Sequence, residues 1–146
     1  MRRSLTFSVA FAALAASAFA QRGPAGVRAI ATVRELHDVM ISPSSDAVFD
    51  AATNPPTEAK GWLAARNQAL LLAESANLLM VGSRVRDHAN WMKMSRALVD
   101  AAALAAGAIE KRDAKALEVA TDAITMACMD CHRPYRDGGR QMGAPK

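Results

Sequence analysis

The sequence has little that would build a sheet or a disulfide framework. Runs of β-branched residues are absent and glycine is scarce inside the long apolar segments, whereas alanine is abundant. These features favour helices over strands. The two cysteines are separated by only two residues, so a disulfide between them would close a very short loop and constrain little of the unfolded chain's entropy. We therefore expect an all-α protein without a structural disulfide.

The first twenty residues have the pattern of a secretory signal peptide. Two arginines follow Met1, residues 5–16 are apolar and rich in alanine, and Ala18-Phe19-Ala20 fits the A-x-A cleavage pattern. The apolar run is short for a membrane span, and a retained N-terminal anchor is the alternative. We predict that residues 1–20 are a signal peptide and that residues 21–146 form one exported, periplasmic domain.

The charge of the chain does not predict a nucleic-acid partner. Signal cleavage lowers Lys+Arg from 18 to 16 against 14 acidic residues, which changes the formal net charge from +4 to +2. Basic runs and interleaved aromatic residues, which nucleic-acid binding would favour, are missing. Residues 21–146 also contain no apolar segment long enough for a transmembrane helix. We therefore predict no stable membrane insertion after signal cleavage.

Apolar residues recur at helical spacing in four segments. We predict helices over about 27–41, 57–81, 91–111 and 114–131, with Pro43 ending the first helix and residues 42–56 forming a connector. The inner face of the second helix is expected to include Trp62, Leu63 and Leu70, and residues 84–90 are expected to form a polar turn. The later connections are short, so an antiparallel four-helix bundle is the simplest arrangement.

The fourth helical segment ends in Cys128-Met129-Asp130-Cys131-His132. C-x-x-C-H is the attachment motif of c-type haem. On a helical turn, Cys128 and Cys131 share one face, so both sulfurs can form thioethers with the vinyl groups of one haem edge, and His132 follows as the proximal iron ligand. A thioredoxin-like C-x-x-C would need a βαβ pattern, and zinc would need about four ligands, whereas the other histidines are distant in sequence.

The motif and the residues after it resemble the class II c-type cytochromes, the cytochrome c prime family. In that family the C-x-x-C-H motif lies on the last helix of a four-helix bundle, commonly followed by a Tyr-Arg or Tyr-Lys pair, which here is Tyr135-Arg136. The resemblance implies that Arg136 lies near the proximal histidine or a haem propionate. A surface cation at the helix end is the alternative. Family members are often dimers, so the resemblance includes a homodimer among the expected assemblies.

The residue on the other side of the iron decides what such a protein does. In the family this residue comes from the first helix, where His37 and Met40 lie on the apolar face. The segment around His37 resembles a low-spin subgroup in which methionine often takes this place. We take His37 as the distal ligand to test first and Met40 as the second, with an open distal position as the third. A histidine satisfied by a hydrogen bond and a flexible methionine filler are their structural alternatives.

The resemblance and the motif together imply a periplasmic one-electron carrier with one covalent haem c, its iron bound by His132 and by a side chain of the first helix. It would exchange electrons with redox partner proteins and would not be an enzyme. The alternative is a five-coordinate haem protein that binds nitric oxide or carbon monoxide. A third hypothesis is a haem-free helical domain that binds zinc through Cys128, Cys131 and distant histidines.

Overall fold

The computed structural model describes residues 28–136, and the regular structure within this range is entirely helical. The helices are α1 (Val33–Leu36), α2 (Ser42–Thr53), α3 (Ala59–Leu78), α4 (Asn90–Glu110) and α5 (Ala114–Tyr135), with a π-helical segment (His37–Ile41) between α1 and α2 and a 3₁₀ turn (Gly82–Arg84) before α4. The prediction of an all-α chain is therefore confirmed for this range. The predicted signal peptide, residues 1–20, lies outside it.

The four longer helices pack as a helical bundle. Helix α3 packs against α4, α4 packs against α5, and α2 contacts both α3 and α5, so each helix has two neighbours. Helices α4 and α5 are separated by residues 111–113 alone, and so short a turn between two packed helices makes them antiparallel neighbours. The Asp113 side chain caps α5 by accepting a hydrogen bond from the backbone N–H of Ala116 at 3.0 Å.

The prediction that Pro43 ends the first helix is wrong. The chain stays helical from Val33 to Thr53, because the π-helical segment joins α1 to α2 without a break. Pro43 lies in the first turn of α2, where a missing backbone N–H is tolerated. The preceding turn is wide, since the N–H of Ser42 donates to the carbonyl of His37 five residues earlier. Most of the predicted connector is therefore helix.

Alanine makes up much of the buried surface of α3 and α4. Ala69 and Ala76 of α3 and Ala102 and Ala105 of α4 are fully buried, and such small side chains allow two helices to approach closely. The larger fully buried side chains belong to the same core and include Leu36, Val48, Leu72, Ile109, Leu117 and Ile124.

The predicted inner face of the second helix is partly wrong. Leu63 and Leu70 are 57% and 39% exposed, while Leu72 is completely buried. Leu70, Leu71 and Leu72 are consecutive, so apolar periodicity alone does not fix which of these side chains faces inward. Trp62, which was also predicted on the inner face, is half-buried and packs against the core.

The segment between α3 and α4 is not a simple polar turn. Arg84 is only 6% exposed. Its guanidinium donates to the carbonyl of Leu78, at the end of α3, at 3.1 Å and to the carbonyl of Ala31, ahead of α1, at 2.9 Å. Gly82 has a φ of +58°, a left-handed conformation that glycine adopts without strain. Arg84 therefore ties the entry of the first helical segment to the C-terminus of α3.

Candidate haem and metal site

Helix α5 carries the whole C-x-x-C-H motif, near its C-terminal end. Its buried positions are Leu117, Ala120, Thr121, Ile124 and Ala127, spaced by three and four residues as one face of a helix requires. The same face continues into Cys128 and Cys131, which are free, half-buried thiols. His132 follows and is also half-buried. The helix therefore places the three chemically distinctive side chains at the boundary between the core and solvent.

The His37 ring, from the π-helical segment, lies beside the His132 ring of this motif. The centres of the His37 and His132 rings are 5.7 Å apart and their planes are inclined by 44°. The fold therefore brings two imidazoles from distant parts of the sequence next to each other, as a shared metal atom would require.

A hydrogen bond orients the His37 ring. Its Nδ1 lies 3.2 Å from the carbonyl oxygen of Val33. Since a carbonyl oxygen only accepts, Nδ1 carries the proton and Nε2 has a free lone pair in the neutral ring. A backbone carbonyl bonded to one nitrogen is also the usual way in which proteins orient a metal-binding histidine. The same bond equally satisfies a structural core histidine, so it permits ligation without requiring it.

A small cavity separates the two histidines. It has a volume of about 10 Å³, which is room for about one water molecule. Its lining combines both imidazoles and both thiols with apolar side chains and one hydroxyl: His37, Leu79, Met94, Ser95, Leu98, Ala127, Cys128, Cys131 and His132. A planar cofactor would have to part these side chains, and the apolar members would then cover its faces.

Burial sets the protonation states of the motif. It raises the pKa of the Cys131 thiol to about 11, with the neighbouring Cys128 adding to the effect, and it raises the pKa of Cys128 as well. Burial also lowers the pKa of His132, and the charges of His37 and Arg136 act in the same direction. His132 therefore favours the neutral imidazole, which is the form that binds a metal.

Ser95 was not among the predicted site residues. It is 1% exposed, and its Oγ has no hydrogen-bond partner among residues 28–136. The sequence did contain a signal for it, because Ser95 lies four residues after Trp91 and three before Leu98, on the buried face of α4. A hydroxyl on that face of an otherwise apolar helix needs a partner.

Met40 and Arg136 lie less centrally than His37. Met40 is half-buried and packs against the core, but it does not line the cavity. Arg136 is exposed at the end of α5, close enough for its charge to act on His132. The structure thus brings His37 to the predicted haem motif and leaves both Met40 and Arg136 outside the lining of the cavity.

A second cluster fixes the end of α5, and sequence reasoning missed its central residue. The Tyr135 hydroxyl donates a hydrogen bond to the Asp87 carboxylate. The other oxygen of Asp87 accepts from the backbone N–H groups of Asn90 at 2.7 Å and of Trp91 at 3.3 Å, at the start of α4. Asp87 lies two residues before Ala89, the N-cap position of α4, so the usual sequence signal for a helix cap does not identify it. Its partner Tyr135 lies 48 residues further along the chain.

The same cluster has an aromatic part. The Tyr135 ring packs edge-on against Trp91, with ring centres 4.9 Å apart, and the Trp91 Nε1–H donates to the carbonyl of Leu79 at 2.8 Å. Since Leu79 also lines the cavity, this cluster links the end of the motif helix to the wall of the candidate site.

Two further properties concern metals and membranes. Among residues 28–136, no three His, Cys, Asp or Glu side chains form a group that could hold a metal ion by themselves. Within the same range, no helix has the length and apolar character needed to cross a membrane.

Comparisons with protein-family models, with curated proteins and with solved structures give no match to this chain.

Proposed function

We propose that this chain is a periplasmic one-electron carrier of the class II c-type cytochrome kind, with one covalently attached haem c. The observation that supports the proposal best is the position of His37. A C-x-x-C-H sequence alone defines three residues of one helix, whereas the fold adds a second imidazole, from a segment about ninety residues earlier in the chain, 5.7 Å from His132. The unpartnered Ser95 hydroxyl is a second sign that the cavity accepts a polar group.

Each residue has a distinct part in this proposal. Cys128 and Cys131 would hold the haem through two thioethers, and His132 and His37 would be the ligands of its iron. The haem would supply an iron that changes by one electron between its oxidised and reduced forms. The surrounding apolar side chains, Leu79, Leu98 and Ala127, would exclude water. Ligation by two histidines gives a lower reduction potential than ligation by histidine and methionine.

The first experiment is haem staining of the exported protein on a denaturing gel, because thioether-bound haem survives denaturation. Optical spectra of the oxidised, reduced and carbon monoxide-treated reduced protein follow. We expect a positive stain and a low-spin spectrum that carbon monoxide does not change. His37→Ala should convert the spectrum to high-spin and make it sensitive to carbon monoxide. The matched control is His88→Ala, which removes an exposed histidine outside the cavity.

The alternatives give different results in the same experiment. A positive stain with a high-spin spectrum that shifts on carbon monoxide binding would exclude His37 as ligand and support a gas-binding protein. A spectrum that is low-spin in His37→Ala but lost in Met40→Ala would make Met40 the ligand. A negative stain would overturn the haem proposal and would call for a zinc-binding measurement.

A further inference from the structure

The fold gathers basic side chains around the motif, although the sequence has no basic run. Residues 79–99 contain four Lys and Arg residues and one acidic residue, Asp87, and residues 131–136 contain two Arg residues and no acidic residue. The two stretches meet in space, because the Tyr135 hydroxyl donates to Asp87 and both stretches line the cavity. We refer to these two stretches as the basic cluster, and their formal net charge is +5. The basic residues are Arg84, Arg86, Lys93, Arg96, Arg133 and Arg136.

The rest of the described chain has the opposite charge. Residues 28–78 and 100–130 contain seven basic and twelve acidic residues, a formal net charge of −5, so residues 28–136 are neutral as a whole. Two of these acids, Asp100 and Asp130, border the basic cluster, and including both leaves its net charge at +3. The two carboxylates of a haem would lower this charge further without reversing its sign. Within the described range, the positive charge is therefore concentrated at the candidate site.

Most cations of the basic cluster are free to meet a partner. Five of the six are exposed, whereas Arg84 is buried and donates to backbone carbonyls. Among these five, only Arg133 forms an ion pair within residues 28–136, with Asp130 at 3.7 Å. The exposed large apolar side chains of this range all lie outside the cluster. A membrane-surface site combines cations with apolar side chains that enter the lipid, so the cluster fits an acidic protein surface better.

We propose that the basic cluster is the docking surface for a redox partner protein whose contact face is acidic. This inference rests on the proposed function. Opposite charges steer two proteins together and raise their rate of association without requiring a large interface. The cluster contains Cys131 and His132, so a partner held there would lie next to the haem. The acidic remainder of the chain would repel the same partner, so the charges also orient the encounter.

The first test uses small redox ions of known charge on the haem-loaded protein. Each reaction moves one electron from the reduced haem iron to the oxidant. The rate with hexacyanoferrate(III), an anion, should fall about tenfold between about 0.01 M and about 1 M ionic strength, because the screening length falls from about 30 Å to about 3 Å. The rate with tris(phenanthroline)cobalt(III), a cation, should rise over the same range. A hexacyanoferrate(III) rate that does not depend on salt would overturn the proposal and leave the cytochrome proposal standing.

Two double variants separate the charge of the cluster from the charge of the whole chain. Arg86→Gln with Lys93→Gln removes two exposed cations from the cluster. Lys60→Gln with Lys115→Gln removes two exposed cations from the first turns of α3 and α5, and Lys115 lies about 25 Å from His132 along α5. We expect the first pair to lower the low-salt hexacyanoferrate(III) rate about threefold or more and the second pair to leave it unchanged. Equal effects would contradict the proposal, because only the total charge would then matter.

A second measurement identifies the class of partner and needs no haem. Poly-L-glutamate should bind the parent protein and the Lys60/Lys115 variant more tightly than the Arg86/Lys93 variant. Binding to phosphatidylglycerol vesicles without binding to poly-L-glutamate would overturn the protein partner and assign the cluster to a membrane surface. A negative haem stain of the parent would overturn the proposed function and the redox role of the partner, while poly-L-glutamate binding would still decide whether the cluster recognises acidic proteins.

Discussion

The contact between Tyr135 and Asp87 joins two residues that are remote in sequence. The hydrogen bond to Asp87 raises the pKa of Tyr135 to about 12, and the same bond lowers the pKa of Asp87. A tyrosine whose pKa is higher in the folded than in the unfolded chain stabilises the fold below the unfolded pKa of about 10. This contribution is lost as pH rises from about 10 to about 12.

Changing Asp87 should therefore move the titration of Tyr135. In Asp87→Asn the cap of α4 keeps an oxygen acceptor, but the negative charge is gone, so we expect the pKa of Tyr135 to fall towards 10. The measurement is tyrosinate absorbance against pH, which is unambiguous because the chain has one tyrosine. Asp100→Asn, at an exposed position of α4, is the control. An unchanged midpoint in Asp87→Asn would show that the hydrogen bond is not formed in solution.

The residues that sequence reasoning identified at the site are those with a local signal in the sequence. Cys128, Cys131 and His132 are recognised by spacing within one helical turn, and His37 by its place in an apolar stripe. Ser95 and Asp87 were missed because their importance depends on what other segments bring near them. A buried serine becomes informative only when its hydroxyl is known to have no partner, and this cannot be read from its neighbours in sequence.

Packing of α4 against its neighbouring helices depends on side chains that are small as well as apolar. Ala102 is completely buried, whereas Ala103, the next residue of the same helix, is exposed. We expect Ala102→Leu to lower the free energy of unfolding by about 1–3 kcal/mol, because added methylenes force close-packed helices apart. Ala103→Leu should change it by less than about 0.5 kcal/mol.

Urea unfolding followed by far-UV circular dichroism measures both of these variants. The two substitutions add the same side chain to adjacent positions of α4, so helix propensity cancels in the comparison. Equal stabilities would mean that the interface has room for a leucine and that the alanines do not set the helix separation.

The helices themselves were predictable, but the path of the chain around Pro43 was not. The starts of α4 and α5 lie within one residue of the prediction, because apolar periodicity and the Asp113 cap are local signals. The first helical segment was predicted to end at Pro43, since proline usually interrupts a helix. Its continuation depends on the wide turn from His37 to Ile41, and that turn has no distinctive composition.

At the scale of the described fold, ion pairs are few and mostly exposed. Within residues 28–136 the pairs are Arg34–Asp38 at 3.9 Å, Arg66–Glu110 at 3.6 Å and Arg133–Asp130 at 3.7 Å. Pairs of this kind contribute little to stability, typically less than 1 kcal/mol each, and salt screens them. Burial of the alanine-rich interface and the larger aliphatic side chains around it is therefore the main source of stability in this range.

Salt should consequently have little effect on the stability of the fold. Between low salt and about 1 M NaCl, where the screening length is about 3 Å, we expect the free energy of unfolding to change by less than about 1 kcal/mol. Urea unfolding at each salt concentration gives this value. A loss of several kcal/mol would contradict the prediction and would show that charge pairs carry a large part of the stability.

The π-helical segment makes the number of residues in the first helical segment as important as their identity. Each residue of an α-helix advances the chain by about 100° around its axis, and the hydrogen bond from Ser42 to His37 encloses one residue more than an α-helical turn does. Deleting one residue between His37 and Ser42 would let this wide turn close as an ordinary α-helical turn. A deletion between Ser42 and Val48 has no wide turn to absorb it, so it would rotate His37 relative to the buried Val48 by about 100°. A change in length alone would then turn the imidazole away from His132.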